Sequence, residues 1–163
     1  MTTALICDNC IGLGIGSRGV SEDFYALQKA YGQGLAERFK TITFGQNLKT
    51  ALTTLVTASG EASTDDWDGY GAASVKKAAK YEAELFLKMW PTNLPFPEVA
   101  VEPDGDIALE WIESRRRMLS ISFSGTNRIS FAGIFGANDM HGTEYFSDSI
   151  PKAVLDMARR VFA

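Results

Sequence analysis

The only histidine of the chain, His141, lies in NDMHGTEYF at 138–146, with Asp139 two residues before it and Glu144 three after. An imidazole oriented by a carboxylate is the minimum for general acid–base work or for a one-metal site. A hydrolase reading takes His141 as the base and Glu144 or Asp139 as its orienting group. No nucleophile stands at a telling spacing, and no HExxH helix is present. The simpler reading is a loop histidine making ordinary hydrogen bonds.

TDDWDGYGA, 64–72, gathers three aspartates, Trp67, Tyr70 and two glycines. Setting Gly69 at the sixth position of a calcium loop makes Thr64, Asp66 and Asp68 ligands, but puts Val75 where the closing bidentate acid belongs. The cation reading fails there. A structural reading remains, in which Asp68 complements a helix start, Gly69 and Gly71 permit tight turning, and Trp67 and Tyr70 bury ring area as anchors. An aromatic ligand clamp made of Trp67 and Tyr70 is the alternative.

Arg115, Arg116 and Arg117 form the densest cationic run. Six acids and no base lie between Glu98 and Glu113, whereas four arginines, the fourth being Arg128, and no acid lie between Ser114 and Phe135. In neighbouring strands such groups pair across a sheet. Left unpaired, they would hold phosphate or an acidic partner, and Arg159 and Arg160 would extend the patch. The net charge of −4 argues against a global grip on nucleic acid.

Cys7 and Cys10 in CDNC lack a second pair or a nearby histidine to complete a zinc set. The following IGLGIGSRG does not start a helix, as a redox CxxC requires. It is also not the GxGxxG of a dinucleotide loop. Free, inert thiols fit a reducing cytoplasm. The sequence implies no metal and no cofactor, no secretory leader and no membrane span.

The elements follow from period. Ser21 caps a helix carrying Phe24, Leu27, Tyr31 and Leu35, TITF at 41–44 suits a short strand, and Leu48, Leu52, Leu55 and Val56 mark a second helix. TASGEASTDD at 57–66 divides a glycine-rich, helical N-terminal half, residues 1–62, from a module spanning 63–163. From Ala72 to Trp90 the pattern is helical, with Val75, Ala78, Ala79, Leu85, Phe86 and Met89 on one face and Glu82 its one charged member. Pro91 ends it.

Period two then takes over around Val99–Val101, Ile107–Trp111, Leu119–Phe123 and Ile129–Gly133, with PDGD, ESRR and GTN as turns. SDSIPKAVLDMARRVFA returns to helix, with Ser149 as cap. The expected fold is α+β: a four-stranded antiparallel meander flanked by helices, α-β4-α. Its second face carries Ser120, Ser122, Ser124, Ser130, Ala100, Ala108, Ala132, Ile112 and Ile134. That face is too small and too poor in charge for a solvated one, so a cover is expected, either the N-terminal half or a second subunit.

WDGYGA, LPFPEVAVEPDGDIALEW, LSISF, ISFAGIFG and HGTEYFSDSIP resemble a pattern of small uncharacterised bacterial and phage-associated proteins, from Trp67 to the C-terminus. Those proteins often have proline where this chain has Ala73. The resemblance implies that these stretches form one module and carries no activity. The functional expectation is a non-enzymatic protein-binding or assembly module, acting through a protein partner or as a homodimer. The hydrolase centred on His141 and the nucleic-acid regulator centred on Arg115, Arg116 and Arg117 are the alternatives.

Overall fold

The computed structural model describes residues 45–163. Chain contacts divide the protein into two units, Met1–Phe44 and Gly45–Ala163. The expected Ser21 helix, the TITF strand, the glycine-rich stretch and the two cysteines lie outside the described residues. The expected boundary at residue 62 lies inside the second unit, at the end of helix α1 (residues 45–61).

The second unit continues with α2 (Lys77–Met89) and then five strands: β1 (Glu98–Val101), β2 (Ile107–Ser114), β3 (Arg117–Phe123), β4 (Arg128–Phe135) and β5 (Asn138–Tyr145). Helix α3 (Lys152–Val161) ends it. The strands lie in chain order, every neighbouring pair antiparallel. The α+β meander is as expected, but it has five strands rather than four.

The added strand is the NDMHGTEYF stretch, expected to be a loop. Phe135 pairs with Asn138, so only Gly136 and Ala137 link β4 to β5. Gly136 takes φ +74°, which glycine reaches without the Cβ penalty and which a two-residue hairpin demands. As an edge strand, β5 needs no continuous apolar face. Its polar residues concealed it from a reading based on hydrophobic alternation.

One sheet face carries the core. Val99, Leu109, Ile121 and Phe131 align across it, and Val101, Ile107, Phe123 and Ile129 form the next row. Helices α2 and α3 pack on this face, and Ala51 and Leu55 of α1 join the same cluster. Phe86 sits at the centre. Its ring centroid lies 5.3 Å from Phe123, 5.6 Å from Phe146 and 5.4 Å from Trp90. The Trp90 and Trp111 rings meet at a tilt, centroids 4.6 Å apart, and both donate an indole N–H to the Pro95 carbonyl, at 2.9 and 3.0 Å. One carbonyl, with its two lone pairs, thereby satisfies both buried donors.

Two helix starts differ from expectation. Helix α2 begins at Lys77, five residues after Ala72. The amide N–H groups of the intervening backbone go elsewhere: Ala73 to Pro103 O, Val75 to Ala62 O and Lys76 to Gly105 O. A backbone spent on tertiary partners cannot also wind into a turn. Helix α3 has Pro151 at its N-cap and no side-chain cap, so Ser149 does not serve there.

Glu82, the single charged residue on the apolar face of α2, is 5 % exposed. It accepts the Asn127 N–H at 2.6 Å and the Gly125 N–H at 3.1 Å. The β3–β4 turn holds both residues at positive φ, 56° and 81°. The buried carboxylate thereby fastens that turn onto the helix.

Candidate binding face

The DDWDGYGA loop spends its carboxylates on its own backbone. Asp68 accepts the N–H groups of Tyr70 at 2.8 Å and Ala72 at 3.1 Å; Asp66 accepts Gly71 at 2.8 Å; Asp65 accepts Ser74 at 2.8 Å. The Ser74 amide beside Asp65, and the Tyr70 and then Ala72 amides beside Asp68, lower both carboxyls below the usual range. The half-buried Trp67 donates its indole N–H to the Ala73 carbonyl at 3.1 Å. Tyr70 is 94 % exposed and buries no ring area, contrary to its expected anchoring part. The loop fixes its own path rather than clamping a helix start.

The adjoining β1–β2 turn groups Glu102, Asp104 and Asp106, with one carboxylate oxygen from each within 4.8 Å of the others. Lys76 Nζ lies 2.5 Å from Asp106 Oδ1. That bond is the main cause of the raised pKa of Lys76. Asp104 accepts the Asp106 N–H at 3.1 Å, and Ser122 Oγ donates to Glu102 at 2.6 Å, reaching across β2. The trio is a tied turn with its own counter-cation.

β5 separates two of the residues grouped around the histidine. His141 stands opposite Ala132, on the outer face, and Glu144 stands opposite Ile129, on the core face. A spacing of three on a strand puts side chains on opposite sides, so Glu144 does not orient His141. Asp139, two residues away, shares the outer face, opposite Ile134.

The arginines divide as well. Arg117 pairs with Phe135 at one end of the sheet, whereas Arg128 pairs with Tyr145 at the other. Those ends are seven residues apart along β4, about 23 Å at 3.3 Å per residue. Arg160 lies with Arg117's end, its guanidinium 4.6 Å from the Phe135 ring centroid and 3.1 Å from Met140 Sδ. Arg159 pairs with Asp156. Among the described residues, Arg115, Arg116, Arg117 and Arg128 make no ion pair, so the reading in which they pair with acids across the sheet does not hold. No single surface gathers all six.

What the strands do bring together is the outer face. Three rows cross it. Ala100, Ala108, Ser122, Ser130 and Thr143 form a row of small side chains. Glu98, Glu110, Ser120, Ala132 and His141 form the next, acidic at the β1 end and imidazole at the β5 end. Ile112, Met118, Ile134 and Asp139 form the third. Ile112 is 58 % exposed and Ile134 38 %. A trough of about 240 Å³ runs between the last two rows, floored by Met118, Ser120 and Ala132 and rimmed by Glu110, Asp139 and His141. No described helix covers this face. Sequence reasoning found its small residues but missed the trough, because β5, which closes one side, was not read as a strand.

No family model, curated protein or solved structure matches the chain. Among the described residues, no helix is long and apolar enough to cross a membrane.

Proposed function

We propose that this protein is a non-enzymatic protein-binding module whose contact surface is the outer face of the sheet. One observation carries the reading: rows of alanine and serine leave two isoleucines, at 58 % and 38 % exposure, on a face that no described element covers. Solvated sheet faces carry long polar side chains, whereas faces that meet another protein carry small and apolar ones. Of the two acids that could orient His141 for hydrolysis, Glu144 lies on the opposite side of the strand and only Asp139 shares its face.

A thiol reporter tests the reading. In a Cys7→Ser/Cys10→Ser background, Ser120→Cys places one thiol at the middle of the face. In an extract of the protein's native cells, this thiol should resist maleimide until the extract is denatured. Free labelling in the native extract would show a face with no occupant and remove the reading.

A further inference from the structure

We infer that the occupant of the outer face is a second copy of this chain, related by a two-fold axis parallel to β3. The inference rests on the binding-face reading above and adds the partner and its orientation.

The argument is the match of each row to its own reverse. A two-fold axis running along β3, between two facing sheets, sets β1 on β5 of the partner, β2 on β4 and β3 on itself. The row Glu98–Glu110–Ser120–Ala132–His141 then meets itself reversed. Glu98 and Glu110 of one copy come against the imidazole end of the other, twice by symmetry. Ser120 meets Ser120, and its small side chain lets the sheets approach.

The neighbouring rows agree. Ile112 lies on β2 and Ile134 on β4, opposite each other through Met118. Under the same axis, Ile112 of each copy covers Ile134 of the other. At the far corner Arg128 ends β4 and has no ion-pair partner among the described residues. Reversal sets it over the start of β2, beside the acidic Glu102–Asp106 turn. The row from Ala100 to Thr143 contains only alanine, serine and threonine and opposes nothing bulky.

The other two-fold axis in the plane, across the strands, fails on the same side chains. It places the Ile112–Ile134 row against Glu102 and Arg128, burying charge on hydrocarbon. Aligned sheets cross at about 30°, which displaces the outermost strands by about 5 Å, more than one residue, and β2 and β4 by about half of that, within reach of their side chains. The long side chains of Glu98 and Arg128 span that displacement.

Five strands at about 4.8 Å and three to four rows give a face of roughly 24 by 20 Å, roughly 1,000 Å² for the pair. That is near the lower bound for specific association, so the dimer dissociates on dilution.

Cross-linking of the purified full chain tests the inference. In the Cys7→Ser/Cys10→Ser background, Ser120→Cys sits at the axis and should form a disulfide-linked dimer under copper–phenanthroline oxidation. Ala132→Cys alone should stay monomeric, because it faces Glu110, whereas the Glu110→Cys/Ala132→Cys pair, on the near-axial strands β2 and β4, should link. Light scattering of the unmodified chain should show a mass falling from dimer towards monomer across a dilution series. A monomeric mass at every concentration, or Ser120→Cys that does not link, overturns the inference. Efficient linking of Ala132→Cys alone overturns the orientation and with it the inference. A thiol protected in native extract that labels freely and stays unlinked when purified removes the second copy and leaves the binding face standing; one protected in the purified monomer is covered by its own chain and removes both. A thiol that labels freely in extract removes both.

Discussion

Glu82 shows what one buried carboxylate accomplishes. It is held by two turn amides and nothing else, at 2.6 and 3.1 Å. Glu82→Ala leaves both N–H groups without their acceptor, and charge-assisted bonds contribute about 1.5–3 kcal/mol each. We expect a loss of roughly 3 kcal/mol in urea unfolding, with Glu82→Gln losing less because its amide oxygen still accepts one. Trp67 contributes less than a core tryptophan because its ring is only half-buried. Trp67→Ala should cost about 1–2 kcal/mol rather than the 3–5 of a buried aromatic.

Asp65 and Asp68 contribute to the acid limb. Their folded pKa values lie below the unfolded ones. Their stabilisation is therefore full above about pH 4 and lost as pH falls through the folded values. Lys76 has the opposite sign: its raised pKa gives a contribution full below about pH 10.4 and lost as pH rises through the folded value. Thermal melting of the Asp65→Asn/Asp68→Asn variant should lie below the parent at pH 7, and the two should converge towards pH 2. A gap that persists at low pH would mean that the carboxylates are not the source.

At the level of elements, the β3–β4 turn and α2 form one unit. A Cβ built on Gly125 would stand 2.6 Å from Ala78 Cβ and 2.9 Å from the Ala79 nitrogen, and its φ is 81°. Gly125→Ala therefore combines backbone strain with a clash against helix backbone, and should cost about 2–4 kcal/mol in denaturant unfolding. Period and turn chemistry made β1 to β4, α2 and α3 legible in the sequence, since Leu119, Ile121 and Phe123 alternate cleanly with serines and Gly105 marks a hairpin. β5 was not legible, because Asp139, His141 and Thr143 on its outer side and Met140, Gly142 and Glu144 on its inner side give no contrast. The start of α2 was hidden for another reason. Nothing local reveals that the Val75 and Lys76 amides are claimed by Ala62 and Gly105. The candidate face was half legible: the small residues declared it, but its third row ends on the unrecognised strand.

On the scale of the molecule, Gly45–Ala163 contains its own core, from Leu55 of α1 to Val161 of α3. A chain of residues 45–163 should unfold in a single cooperative transition, with coincident near- and far-ultraviolet circular dichroism. Separated transitions would show that the core is not shared between the helices and the sheet.

The strand order carries a consequence for synthesis. Since the strands neighbour each other as they leave the ribosome, each hairpin closes a loop of only a few residues, and its entropic cost is small. The sheet can assemble as it emerges. Its aromatic side does not stay dry that early. Helix α3, whose Val154, Met157, Ala158 and Val161 are buried, comes after every strand has been made. Until those last turns emerge, the core side of β2, β3 and β4, on which α3 packs, lacks part of its cover, and the nascent chain presents a greasy surface to whatever waits at the exit tunnel. A ribosome paused before Lys152 would thus hold a sheet already paired yet still sticky, the state for which cells keep holdase chaperones.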